Sequence, residues 1–217
     1  MKESQYGYNQ ILKNLVKNPP THPKFRAVHL WEEGKSLRGS GTLILNDQGQ
    51  HTGVVTASHL FNPKNKAAPI FYQVLQPYST MMHPIAEAKS VIKEDAVLCI
   101  PGNPMPIGGF SPHEGGVWSS ERDITPCKVS LPRCTLLATG EKIPVLGHVQ
   151  EKATGYFYYV LQYHSYPGQS GLGCIKAENE LYVFCSGIPI EKEFRKCFGI
   201  SRSMRRITLA AAVRVDF

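Results

Sequence analysis

No stretch of the chain approaches the eighteen or so consecutive apolar residues of a membrane-spanning helix, so a helical spanning protein is excluded. Six cysteines and eight histidines contain no Cys-x-x-Cys pair and no His-Glu-x-x-His, so the common zinc spacings are absent and no metal or cofactor is expected. No basic–apolar–small-residue leader opens the chain. The expectation is a cytoplasmic protein if the chain is complete, and a secreted or periplasmic one if a leader has been removed. Aspartate is scarce: Asp47, Asp95, Asp123 and Asp216 are all there are. Acidic residues are outnumbered, 17 Asp+Glu against 24 Lys+Arg, which gives a net charge of +7. This excess permits contact with nucleic acid or an anionic surface without requiring it. Its densest part holds Arg195, Lys196, Arg202, Arg205 and Arg206. No aromatic residues interleave with it as in a stacking platform, so it reads as a solvated loop and nucleic acid is the disfavoured partner.

What is present points to strands. Hydrophobic residues make up 42% of 217, enough for a real core, and 19 Gly and 16 Pro are spread along the chain. Residues 3–17 carry Tyr8, Ile11, Leu12, Leu15 and Val16 on one helical stripe that ends before Pro19-Pro20. Beyond it, strands are expected at 25–31, 41–45, 52–56, 70–74 and 96–100. More are expected at 127–131, 136–138, 143–149, 156–162, 172–176, 181–186 and 207–213. Asn46-Asp47-Gln48-Gly49 reads as a hairpin turn. The Pro/Gly-rich stretch 101–116 is the best linker candidate.

The expected architecture is all-β. Two antiparallel six-stranded barrels pack face to face with a cleft between them, and a short helix precedes them. The expected division is an N-terminal helical extension at 1–21, a first barrel at 22–105, a linker at 106–118 and a second barrel at 119–217. A single larger sandwich is the alternative. Cys99 and Cys185 lie in apolar runs and read as buried thiols, whereas a bridge between Cys127 and Cys134 across a hairpin is an option the sequence alone leaves open.

Three segments carry chemistry-bearing residues. Val54-Val55-Thr56-Ala57-Ser58-His59 is an apolar strand ending in histidine; Glu94-Asp95-Ala96-Val97-Leu98 sets an acid before a buried run; Pro167-Gly168-Gln169-Ser170-Gly171 sets a serine among glycines. Singly, each reads as an ordinary turn or strand end. Together they give the order His, Asp, Ser, with the linker between the last two.

In these motifs the chain resembles the chymotrypsin-like serine proteases. Thr-Ala-Ser-His59 stands where that family has T-A-A-H, Glu-Asp95-Ala-Val-Leu where it has D-I-A-L-L, and Gly168-Gln-Ser170-Gly where it has G-D-S-G-G. Gly39-Ser40-Gly41 stands before the strand that leads to the histidine hairpin. Tyr163 and Pro167-Gly168 look most like the compact bacterial glutamyl endopeptidase-like and Deg-type members. The resemblance covers about residues 25–213. It implies a serine endopeptidase acting on polypeptide through an acyl-enzyme. Ser170 is then the nucleophile, His59 the base and afterwards the acid, and Asp95 the orienting carboxylate. The backbone N–H groups of Gly168 and Ser170 form the implied oxyanion hole. Among the aspartates, only Asp95 is followed at once by a buried run; Glu94 is the alternative acid, expected to point the other way in an extended segment.

The departures from the family pattern bear on activation and specificity. Gln169 replaces the acid that pairs with a freshly cut N-terminus, so activation by such a cut is not expected. Leu172-Gly173 replaces Gly-Pro, and no cysteine follows His59. The resemblance puts the substrate pocket between His164, Ser165 and Tyr166 on one side and Cys185, Ser186 and Gly187 on the other. His164 stands where Arg/Lys-cutting members carry an acid, so a cation-binding pocket is not supported. Two other classes compete with the peptidase: a protease-fold binding protein that no longer cuts, and a basic nucleic-acid-binding barrel using residues 195–206.

Overall fold

The computed structural model describes residues 21–33, 36–61, 68–76, 80–107, 124–152, 154–166 and 168–216. The helix expected at 3–17, most of the 106–118 linker, Asp123 and Pro167 lie outside them.

The first six strands are β1 (Phe25–Glu32), β2 (Ser36–Leu45), β3 (His51–Ala57), β4 (Ile70–Val74), β5 (His83–Lys93) and β6 (Ala96–Pro101). They form a closed barrel in the order β1-β2-β3-β6-β5-β4, with every pairing antiparallel. The β2–β3 hairpin turns where the sequence asks for it. Asn46 Oδ1 accepts the N–H groups of Gln48 and Gln50 at 3.0 and 2.8 Å, and Gly49 takes a φ of 75°.

Both faces of this barrel's central strands are apolar because both are buried. Val28, Leu30, Leu43, Val54, Ile70, Tyr72, Ile85, Val97 and Cys99 fill the barrel interior. Their sequence neighbours Ala27, Ile44, Val55, Ala96 and Leu98 face outward, into the core of the second half. Period-two alternation therefore sorts one apolar run into two cores. β5 was not anticipated, since its Glu87, Lys89 and Lys93 leave little apolar signal.

The second half contains β7 (Ile124–Lys128), β8 (Cys134–Leu136), β9 (Lys142–Ile143), β10 (Val145–Glu151), β11 (Phe157–Leu161), β12 (Gly173–Ala177), β13 (Glu180–Pro189) and β14 (Arg206–Arg214). They form one eight-stranded sheet in the order β7-β10-β11-β14-β13-β12-β8-β9. The all-β expectation holds, but here the sheet curls without closing into a six-stranded ring among the described residues. The single strand expected at 143–149 is split at Pro144 into β9 and β10, because proline has no N–H to give the ladder.

A short helix, α1 (Lys192–Phe198), was also not anticipated. It buries Phe194 and Phe198 and ends on Gly199 in the left-handed conformation, φ 64°. The basic stretch is thus not one solvated loop. Arg195 and Lys196 lie on α1, Arg195 donates to the carbonyls of Ser201 and Met204, and Arg206 opens β14. The optional hairpin bridge is not formed. All six thiols are free: Cys127 is exposed opposite His148, whereas Cys134 is buried opposite Ile143.

Candidate active site

The ends of β3 and β6 bring two of the motif residues together. Ala57, the last residue of β3, pairs with Ala96, the first of β6. One 3₁₀ turn, Ser58–Leu60, follows β3 and carries His59. Glu94 and Asp95 are the two residues of the turn between β5 and β6, whose flanks Lys93 and Ala96 pair. Neither acid is therefore in an extended segment. The Asp95 carbonyl accepts the Ser58 N–H at 2.8 Å, locking the two turns side by side.

The Asp95 carboxylate is only 2% exposed, and a charge so buried must be met by donors. Three meet it. Ser58 Oγ donates to Oδ1 at 2.7 Å, the His59 backbone N–H donates to Oδ1 at 3.0 Å, and His59 Nδ1 donates to Oδ2 at 2.6 Å. A carboxylate only accepts, so the ring proton sits on Nδ1 and the neutral imidazole keeps its lone pair on Nε2. Glu94 takes no part: it pairs with Lys93 Nζ at 3.5 Å.

The serine segment reaches this place through the backbone of β2. Ser40 N–H donates to the Ser170 carbonyl at 2.8 Å, and Ser40 Oγ donates to the Gly168 carbonyl at 2.7 Å. Thr56 Oγ1 holds the Ser40 carbonyl at 2.6 Å, which ties β2 to the strand that ends beside His59. The approach is close enough to require glycine. A methyl group on Gly171, at φ 94°, would lie 1.9 Å from the Ser40 carbonyl oxygen; one on Gly173 would lie 2.2 Å from Thr42 Oγ1. Gly39 touches both sides, since a methyl there would meet Leu60 at 2.5 Å and the Ser170 carbonyl at 3.1 Å. Ser170 is half-buried, and among the described residues its hydroxyl makes no hydrogen bond, to His59 or to any other group.

Within the loop the amides alternate. The N–H of Gln169 goes to the Tyr166 carbonyl at 3.0 Å and that of Gly171 to the Phe184 carbonyl at 2.7 Å. The N–H groups of Gly168 and Ser170 donate to no described residue. Gln169 is buried and staples its own loop: Oε1 accepts the Tyr166 N–H at 2.7 Å, and Nε2 donates to Tyr163 Oη at 3.3 Å.

The remaining motif residues are dispersed. His164 is exposed and stacks on Tyr166, ring centres 4.9 Å apart. Cys185 is fully buried at a bulge in β13, where it offers no surface to a ligand. Burial, followed by the nearby Asp95 charge, raises its thiol pKa well above the ordinary value. Ser165 and Gly187 do face each other: a methyl on Gly187 would lie 2.7 Å from Ser165 Oγ. Ser186 is half-buried beside them. Ser40 and Ser58 were missed as residues that join these segments. They stand inside the Gly-Ser-Gly and Thr-Ala-Ser-His motifs, where their hydroxyls could have been asked for partners.

No protein-family model matches the chain, and no curated protein does. Solved structures do. The MamO protease domain of Magnetospirillum magneticum is 13% identical, with 87% of this chain and 92% of that one covered and a TM-score of 0.47. The Rv3671c protease of M. tuberculosis, active form, is 11% identical over 95% and 81% of the two chains, with a TM-score of 0.43. The serine endoprotease of Yersinia pestis is 14% identical over 94% and 61%, with a TM-score of 0.38. At these identities the neighbours say nothing of the side chains at the site.

Proposed function

We propose that the protein is a serine endopeptidase. The observation that carries this reading is the buried Asp95 carboxylate, saturated by three donors, holding His59 through Nδ1 so that Nε2 is the basic nitrogen. The tethering of the Ser170 carbonyl and the Gly168 carbonyl to Ser40 supports it, because it fixes the serine loop on the strand next to that histidine. So do the amides of Gly168 and Ser170, which donate to no described residue.

In the proposed reaction His59 Nε2 takes the hydroxyl proton as Ser170 Oγ bonds to the substrate carbonyl carbon. The oxyanion that forms is received by the N–H groups of Gly168 and Ser170. The C–N bond then breaks, and the proton on Nε2 leaves with the amine. Water repeats the sequence on the ester and releases the carboxylate, with Asp95 stabilising the imidazolium each time. Substrate-free hydrolases commonly hold nucleophile and base beyond hydrogen-bond reach and tighten when substrate seats, which accounts for the unbonded Ser170 hydroxyl.

A fluorophosphonate probe tests the reading, since it reacts far faster with a serine that a base has activated than with an ordinary hydroxyl. Wild type is expected to label and Ser170→Ala is not. Absence of labelling between pH 6 and 9 would leave a protease-fold binding protein instead.

A further inference from the structure

We propose that Ser40 is a positioning residue for the oxyanion site: its buried hydroxyl, by holding the Gly168 carbonyl, sets the directions of the Gly168 and Ser170 amides. The inference rests on the peptidase reading and deepens it with a residue that touches neither substrate nor the reacting atoms.

The directions of the loop amides follow from where their neighbours are held. A peptide unit is planar and trans, so fixing its carbonyl also fixes its N–H on the opposite side. Three consecutive units make up the loop. The Gly168–Gln169 unit is held at both ends, its carbonyl by Ser40 Oγ at 2.7 Å and its N–H by the Tyr166 carbonyl at 3.0 Å. The Ser170–Gly171 unit is also held at both ends, its carbonyl by the Ser40 N–H at 2.8 Å and its N–H by the Phe184 carbonyl at 2.7 Å. Between them, the Gln169–Ser170 unit gives its carbonyl to the Leu172 N–H at 3.1 Å. The Ser170 N–H is left on the other side, donating to no described residue.

Ser40 supplies both outer clamps, and the two differ in kind. The clamp on the Ser170 carbonyl is a backbone N–H and survives a change of side chain. The clamp on the Gly168 carbonyl is the hydroxyl, the one donor to that oxygen among the described residues. Gly168 has a φ of 94° and no Cβ, so its carbonyl turns at little cost once released. The Gly168 and Ser170 amides would then lose their fixed relation. The hydroxyl is committed to this contact. Ser40 is fully buried, and its one proton lies toward Gly168 because a carbonyl only accepts. Toward His29 Nδ1, 3.3 Å away in an equally buried ring, the oxygen only accepts. Thr56 Oγ1 holds the Ser40 carbonyl at 2.6 Å, so the residue is fixed at N–H, C=O and side chain. Alanine removes one of these three ties and leaves nothing to replace the lost donor.

The test compares two inhibitors built on one cleaved peptide sequence. A peptidyl trifluoromethyl ketone adds the serine hydroxyl and places a hemiketal oxygen where the oxyanion would sit; the matching peptidyl alcohol binds without forming an adduct. Ser40→Ala is expected to lower kcat by about 10²-fold with KM little changed, the order of one lost oxyanion donor. It should raise the Ki of the ketone by about 10²-fold and leave that of the alcohol within about two-fold. Ser40→Thr, which keeps the hydroxyl, should restore most of the ketone-to-alcohol ratio. That ratio is internal to each protein, so partial unfolding does not mimic the effect; if Ser40→Ala does not fold, Ser40→Cys is read in the same way. An unchanged ratio without the hydroxyl, or equal weakening of both inhibitors, overturns this inference and leaves the peptidase reading standing. Wild type that neither takes the fluorophosphonate label nor cleaves peptide overturns both.

Discussion

At the scale of single residues, Asp95 and Glu94 provide the sharpest contrast. They are neighbours in one turn, yet three donors converge on Asp95 whereas Glu94 pairs with Lys93 at the turn's edge. Asp95→Asn is expected to keep the fold and lower kcat by about 10⁴-fold, because an amide facing Nδ1 favours the wrong tautomer. Glu94→Gln should stay within a few-fold of wild type; steady-state kinetics on one peptide substrate compares the two. The aspartate that meets His59 Nδ1 is the one the sequence singles out, the aspartate that precedes a buried run. The reason offered there, opposite side-chain directions in an extended segment, was not the physical one, because both residues occupy a turn whose geometry a linear pattern does not display.

His29 is a second residue with a measurable consequence. It is fully buried in β1 with Nδ1 3.3 Å from Ser40 Oγ, and burial, offset in part by a hydrogen bond to the Gly39 backbone, lowers its pKa from 6.5 to about 3. The native value lies below the unfolded one, so the unfolded chain takes the proton first. The stability supplied by the neutral buried ring is complete above about pH 6.5 and is lost as the pH falls toward 3. The expected loss approaches 1.4 kcal/mol per pH unit within that window, about one proton's worth. Urea unfolding of wild type and His29→Gln at several pH values should show the variant less stable at neutral pH but with the shallower slope. Parallel slopes would contradict the assignment.

At the scale of elements, the serine loop and β2 meet backbone to backbone, and glycine is what lets them. Gly171→Ala combines a positive φ with an overlap against the Ser40 carbonyl, a backbone atom that cannot swing aside. It is expected to cost about 3 kcal/mol or more. Gly49→Ala shares the positive φ but meets nothing within 4 Å, so it should cost only about 1 kcal/mol. Chemical denaturation of the two variants separates contact from conformation. The Gly-Gln-Ser-Gly motif was visible in the sequence; the strand it docks against was not, since the contact joins residues far apart in the chain. β5 and α1 escaped for a local reason. Both alternate charged and apolar residues too loosely to announce a period, and packing by residues such as Ile85 and Phe194 decides their conformation.

At the scale of the whole molecule, the strands of the first barrel serve two cores at once, an interior one and one shared with the second sheet. The same apolar runs that identified strands in the sequence therefore also bind the two halves together. They hold the β3 end, the β5–β6 turn and the serine loop in fixed relation. The all-β architecture was legible from strand density and turn residues. The eight-stranded second sheet was not, because strand pairing across long separations leaves no local trace.

The proposed peptidase activity requires Ser170 to be activated in the folded protein. Mass-spectrometric mapping of fluorophosphonate-treated protein tests this at the level of one atom. The phosphonyl group is expected on Ser170 in wild type and is expected to vanish in His59→Ala. A label on another residue, or an undiminished label on Ser170 without His59, would contradict it.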